Sequence, residues 1–191
     1  MKNIVIINGH PNKDSYNFAL SEAYIKGAQK TDAIIQVVNI NELDFNPNLQ
    51  YSYQKRMEHE PDLKEALQKI LQADHLVWIF PMWWYGLPAL MKGFIDRTFL
   101  PGITFAYQEK SPFPKKLLVG KTARIIMTSD TPRWYDALIM GKPTIRQFKN
   151  GVLKFCGVKS KVTYIAPIKG SKETFRKNWL KKVETLGKNN R

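Results

Sequence analysis

The chain has 191 residues, 43% hydrophobic and 24% charged, which is enough to bury one substantial core and short for two ordinary domains. The absence of low-complexity tracts excludes a disordered chain and predicts a single domain over residues 1–191. A formal charge of +14 attracts anions in general, but no zinc-finger, RNA-recognition or helix-turn-helix signature accompanies it, so no nucleic-acid partner is expected.

The first strand is predicted over residues 2–8, where Ile4, Val5, Ile6 and Ile7 form an unbroken apolar run, as in a parallel strand covered on both faces. That run is too short for a signal-peptide core or a membrane span, and the expectation is a cytoplasmic protein without membrane insertion. A loop of Asn8-Gly9-His10-Pro11-Asn12-Lys13-Asp14-Ser15-Tyr16-Asn17 follows and leads into a helix over residues 15–30. A strand running through a loop into a helix aims unpaired N–H groups and a partial positive charge at one spot, where a phosphate can settle. His10, Ser15 and Asn17 add side-chain donors. Equally open is the reading in which Asp14 or Ser15 caps the helix and His10 bonds a nearby carbonyl. No G-x-G-x-x-G or G-x-x-x-x-G-K-[ST] motif is present, which removes the ordinary dinucleotide fold and the nucleotide triphosphatases.

A second strand is predicted over residues 34–40 and an irregular stretch over 41–60. A helix then starts at Pro61-Asp62, with Leu63, Leu67, Ile70 and Leu71 on its apolar face. The third and most apolar strand, 75–81, runs directly into Phe80-Pro81-Met82-Trp83-Trp84-Tyr85-Gly86-Leu87-Pro88. Three consecutive aromatics cannot all face inward at strand or helix period, so at least one is exposed at the strand tip. Pro81, Gly86 and Pro88 fix the segment and leave backbone N–H groups free for a planar heterocycle. The alternative is an aromatic corner of the core. A helix follows Pro88, and residues 101–120, with three prolines and two glycines, read as a long loop. The fourth strand is expected at 122–128, a helix at 144–155 stopped by Gly157, the fifth strand at 161–166 and a last helix at 172–186. That helix carries much of the positive excess, on Lys172, Arg176, Lys177, Lys181 and Lys182, with Lys169 before it and Lys188 and Arg191 after it. Regular β-then-α alternation indicates an open, doubly wound parallel sheet, whose long loops stand near the carboxyl ends of the strands where ligands bind. Cys156, in an apolar stretch, reads as a buried core residue rather than a reactive thiol.

Gly9-His10-Pro11 with Ser15-Tyr16-Asn17, Phe80-Pro81-x-x-Trp84-Tyr85-Gly86-x-Pro88-Ala89-x-x-Lys92-Gly93, and Asp96-Arg97-x-Phe99 together resemble the flavodoxin-like NAD(P)H:quinone oxidoreductases over about residues 1–165. The resemblance implies an α/β flavodoxin-like fold, an open doubly wound five-stranded parallel sheet of order 2-1-3-4-5 with helices on both faces. It implies a bound flavin, FAD by its Ser-Tyr-Asn triplet with FMN as the alternative, NAD(P)H as reductant, and a homodimer with shared sites. His10, Ser15, Tyr16 and Asn17 match positions that hold the flavin phosphates. Pro81, Met82, Trp83, Trp84 and Tyr85 match the loop whose backbone contacts the ring, and Tyr107 matches an aromatic lining the acceptor pocket of the neighbouring subunit. The Lys92–Arg97 stretch is assigned to the interface or the core.

The loop after the fourth strand, Thr128-Ser129-Asp130-Thr131-Pro132-Arg133-Trp134-Tyr135, brings hydroxyl, carboxylate and N–H groups to a strand end. Thr128, Ser129 and Asp130 suit contacts to flavin carbonyl and ring nitrogen atoms. The mammalian family members carry a glycine pair, a Tyr and a His here, and this chain has no His after His75. Tyr135 is the one donor left for a catalytic part, and Trp134 and Tyr135 alternatively wall the acceptor pocket. His59 and His75 lack metal-ligand company, so no metal is expected. The expected function is two-electron hydride transfer from NAD(P)H through the flavin to a quinone or similar small acceptor. A flavodoxin-type electron carrier and a regulatory flavoprotein subunit of a membrane transporter are the alternatives.

Overall fold

A computed structural model describes residues 1–189, so Arg191 lies outside the described residues. Five parallel strands form the central sheet: β1 (Asn3–Asn8), β2 (Ile34–Asn39), β3 (His75–Pro81), β6 (Thr122–Thr128) and β7 (Lys159–Ile165). Their spatial order is β2-β1-β3-β6-β7. This is the expected 2-1-3-4-5 arrangement, renumbered because a hairpin, β4 (Phe105–Gln108) and β5 (Ser111–Lys116), intervenes in the chain. Residues 101–120 are therefore not all loop. The prolines at 112 and 114 hide this from the sequence, because Pro is excluded from central strands yet tolerated on the outer edge of a two-stranded ribbon.

The period-two alternation of side chains sorts the strands between two cores. Val5, Ile7, Trp78, Phe80, Ile125 and Met127 face one core, shared with α2 (Pro61–Gln72) and α3 (Ala89–Thr98). Ile4, Ile6, Val77, Ile79 and Ile126 face the other, shared with α1 (Tyr16–Ala28) and α6 (Glu173–Lys188). Ile4 through Ile7 are all fully buried, as the unbroken run requires. Trp78 centres the first core, with the rings of Phe94, Phe99 and Phe148 around it at 5.0–6.4 Å. On the opposite face, Gly27 and Gly187 let α1 and α6 touch backbone to backbone. A Cβ on Gly187 would lie 2.1 Å from the Tyr24 carbonyl oxygen, and one on Gly27 would lie 1.9 Å from that of Glu184.

The stretch expected as a helix over 144–155 begins with a turn, α5 (Pro143–Ile145), and continues as a π-helix over Arg146–Lys154. Phe148 and Leu153, five residues apart, are both buried in the first core, and the wider i→i+5 turn brings that spacing onto one face. A further helix, α4 (Arg133–Leu138), went unread in the sequence because it is one short turn packed between two loops. Cys156 is buried, and burial pushes its thiol up, so it packs as a core residue. Among the described residues no helix is long and apolar enough to cross a membrane.

Arg97, fully buried in α3, holds the irregular 41–60 segment. Its guanidinium pairs with Glu60 at 2.8 Å, donates to the Glu58 carbonyl at 2.8 Å and also donates to the Asn46 carbonyl. The His59 ring closes the same knot against the Arg97 carbonyl at 2.7 Å. A carboxylate and two carbonyls around one buried guanidinium fix a segment that has no periodicity of its own. Lys92, by contrast, pairs with Asp96 one turn along α3, where both side chains are partly exposed.

At the opposite end of the sheet His75 opens β3, buried, with Nδ1 2.7 Å from Thr122 Oγ1. Burial, reinforced by the charges of Lys2 and Arg124, lowers its pKa to about 4. The unfolded chain takes up that proton near the ordinary histidine value, so it binds more protons than the folded chain across the window from about 6.5 down to about 4. Stability should fall with pH through that window by about 3 kcal/mol in total from this residue. Denaturant unfolding of the parent chain and His75→Asn, compared at about pH 7 and about pH 4.5, tests this. The variant is expected to lose less stability over the interval, and equal losses contradict the assignment.

Candidate active site

The loop between β1 and α1 is braced from beneath by Asn8. Its Nδ2 donates to the Asn17 carbonyl at 3.3 Å and its Oδ1 accepts the His10 N–H at 3.0 Å. This buried brace was not singled out from the sequence, where Asn8 reads as the last residue of a strand. His10 Nδ1 accepts the Asn12 N–H at 3.0 Å, which puts the proton of a neutral ring on Nε2, and burial holds the ring's pKa below its usual value. A neutral imidazole with Nε2–H as its donor suits a phosphate oxygen. Its ring also packs edge-on to Trp83 at 5.6 Å, joining this loop to the next.

Ser15 occupies the N-cap position of α1 but makes no capping hydrogen bond. Its Oγ is buried and has no hydrogen-bond partner among the described residues. A capping serine satisfies itself on a first-turn N–H, so the capping alternative is not realised here. What remains is a buried hydroxyl beside the unpaired N–H groups of a helix start, a combination that a phosphate completes.

Tyr16 and Asn17 are employed differently from their sequence reading. The Tyr16 phenol donates to the Arg176 carbonyl on α6 at 2.8 Å, and burial raises its pKa to about 12. The Asn17 amide donates to Thr128 Oγ1 at 3.0 Å across the sheet. Both side chains are committed within the protein, so these residues offer an anion their first-turn backbone N–H groups.

At the tip of β3 the chain makes a tight turn, with Trp83 and Gly86 bonded to each other in both directions at 3.2 and 2.8 Å. Trp84 (φ 49°) and Tyr85 (φ 56°) are its central residues. Two successive positive φ values define a type I′ turn, usually built from Asn and Gly. Pro81 has no N–H, Met82 donates its N–H to the Thr128 carbonyl at 2.7 Å, and Trp83 donates to Gly86. Of Pro81 to Tyr85, then, only Trp84 and Tyr85 have backbone N–H groups left over. The Trp84 side chain is 99% exposed, and aromatic side chains at positive φ are true outliers.

After β6, Thr128 is spent on Asn17 and Met82. The Ser129 N–H goes to the Ile165 carbonyl at 3.1 Å, and Ser129 Oγ accepts from the Thr131 N–H at 2.9 Å. The Asp130 carboxylate accepts the Lys169 N–H at 2.7 Å, and the Asp130 N–H, like the first-turn N–H groups of α4, has no acceptor among the described residues. Trp134 and Tyr135 follow on the first turn of α4, both partly exposed, with their rings edge-on at 5.7 Å. Tyr107 is not gathered into this group. It lies exposed on β4 and lines a separate cleft of about 230 Å³ with Tyr53, Leu100 and Pro101.

The strands' shared direction and register thus bring the tips of β1, β3 and β6 together on one edge: buried phosphate-type donors at β1, then open N–H groups at β3 and β6. The strained turn gives a test that needs no ligand. Trp84 packs on nothing, so Trp84→Asn relieves the left-handed backbone without losing core contacts. The variant is expected to raise the unfolding free energy by about 1 kcal/mol, measured by denaturant titration. Equal or lower stability contradicts stored strain.

The family model described as "Flavodoxin-like fold" matches residues 2–186. The NAD(P)H dehydrogenase [quinone] 1 of Cavia porcellus is 27% identical over 183 residues, covering 82% of this chain but only 65% of its own length. This chain therefore spans less than two-thirds of that relative. An FMN-dependent NADH:quinone oxidoreductase of Caldicellulosiruptor saccharolyticus is 30% identical and matches nearly end to end, over 98% of this chain and 99% of that protein. Among solved structures, that of Smu.1420 from Streptococcus mutans UA159 superposes with a TM-score of 0.84 at 27% identity, covering 98% of this chain and 99% of that one. With a family model matched over almost the whole chain and the strand order that the fold demands, this chain belongs to the flavodoxin-like family that includes the NAD(P)H:quinone oxidoreductases.

Proposed function

We propose that this chain is a flavin-dependent oxidoreductase that takes hydride from NAD(P)H and delivers it to a quinone or a similar small acceptor. The observation that carries this reading is the pairing, on one sheet edge, of the buried partnerless Ser15 hydroxyl with the open N–H groups of Trp84 and Tyr85. Ser15 Oγ, His10 Nε2–H and the first-turn N–H groups of α1 hold the flavin phosphate. The N–H groups of Trp84, Tyr85 and Asp130 hold the polar edge of the ring. Bound there, a flavin supplies the two-electron hydride chemistry itself. Trp134 and Tyr135 wall the face on which nicotinamide and acceptor alternate, and alignment of the stacked rings is the protein's main contribution. We assign Tyr135 the part of proton donor to the acceptor, supported by its place on the first turn of α4 directly after the Asp130 loop.

The relative that matches nearly end to end is FMN-dependent by name, which favours FMN over FAD for this chain. The case for FAD rested on the Ser-Tyr-Asn triplet, and two of those three side chains are engaged elsewhere in the protein. A homodimer is part of the same reading. It is supported by Leu138, Ile139 and Met140, three successive exposed apolar side chains at and just after the end of α4, since scattered apolar exposure is ordinary and contiguous exposure marks interfaces.

The purified protein is expected to be yellow and to release a flavin identifiable by mass. NADH or NADPH should bleach its visible band, and added quinone should restore it. A protein that takes up no flavin contradicts the reading. One whose bound flavin is never bleached by either nucleotide is an electron carrier instead.

A further inference from the structure

Beside the candidate site, between α4, the π-helix and β7, lies a cavity of about 800 Å³, within the size range of small-ligand sites. Arg133 of α4, Lys142 of the following turn, and Arg146 and Lys149 of the π-helix line it, with Trp134, Asn150 and Tyr164. None of these four cations makes an ion pair or a side-chain hydrogen bond among the described residues. Asp136, the buried residue of α4, has both carboxylate oxygens without a hydrogen-bond partner among the described residues, and burial pushes its carboxyl up against the pull of Lys142. Four like charges converging unpaired on one cavity repel one another and gain most from an anion bearing more than one negative charge.

The same walls carry aromatic surface. Trp134 lines the cavity directly, and Arg133 lies 5.9 Å from the Tyr164 ring. Aromatic faces next to cations are the means by which proteins hold a base together with its phosphate. Trp134, assigned above to the wall of the hydride site, also lines this cavity, and Tyr164 lies within electrostatic range of Tyr85 in the ring-side turn.

We infer that this cavity is a subsite for the adenosine 2′-phosphate of NADPH, with Arg146, Lys149 and Lys142 meeting the phosphate and Trp134 stacking on the adenine. The inference rests on the oxidoreductase reading above and adds to it a preference for the phosphorylated nicotinamide nucleotide.

The test uses the flavin-loaded protein and the double variant Arg146→Gln/Lys149→Gln, whose changes fall on side chains without partners. Steady-state rates should give a ratio of kcat/KM for NADPH over NADH that drops about tenfold or more in the variant, as expected when charge-assisted contacts are lost. Calorimetry should show adenosine 2′,5′-bisphosphate binding the parent about tenfold more tightly than 5′-AMP, with that advantage gone in the variant. Equal losses for both nucleotides, or a parent that binds the two adenosine ligands alike, overturn the subsite and leave the oxidoreductase standing. A protein that oxidises neither nucleotide overturns the activity, and the calorimetry then decides the anion site by itself.

Discussion

Thr128 is the node on which the sheet edge depends. Its hydroxyl receives the Asn17 amide from α1, and its carbonyl receives the Met82 N–H from the turn after β3. One buried residue at the end of β6 therefore sets the distance between the loop with phosphate-type donors and the loop with ring-type donors. Hydrogen bonds of this kind contribute little net stability, but leaving their buried groups unpaired is costly, so the arrangement is specified more strongly than its energy suggests. The Asn8 brace works the same way one strand over, orienting His10 through its backbone rather than through its ring.

The open groups are defined by what is already spent. Along each of the three loops many polar groups are satisfied within the protein, and the open donors, Ser15 Oγ, His10 Nε2–H, the first-turn N–H groups of α1 and the N–H groups of Trp84, Tyr85 and Asp130, stand on the same edge. Unsatisfied groups and left-handed aromatic residues are both unfavourable in a free protein. Their coincidence here is the physical signature of a surface shaped for a ligand that is polar at one end and flat at the other.

The strands and the principal helices were legible in the sequence because they carry strong period-two or helical patterns. Ile4 to Ile7 announce a doubly covered strand, and the limits of β3 and β6 coincide with the expected ranges 75–81 and 122–128. The hairpin was hidden by Pro112 and Pro114, and the π-helix by a five-residue spacing that looks like an imperfect α-helix. At the site, the loops were legible and the division of labour within them was not. Nothing local to Ser15, Tyr16 and Asn17 says that only the first keeps a free side chain, because the partners of the other two, Arg176 and Thr128, lie 160 and 111 residues away. The cluster of Arg133, Lys142, Arg146 and Lys149 was likewise hidden, since the net charge drew attention to the last helix, whose lysines are spread over a solvated face.

The proposed flavin lays its ring and its phosphate across the tips of β1, β3 and β6. Amide resonances followed by NMR during titration of the flavin-free protein, first with riboflavin and then with riboflavin 5′-phosphate, report on the two ends separately. Both ligands should shift the amides of Trp84, Tyr85 and Asp130, and only the phosphorylated one should shift those of Ser15, Tyr16 and Asn17. Shifts confined to other surfaces, or a response at Ser15 to Asn17 that ignores the phosphate, would contradict the site described.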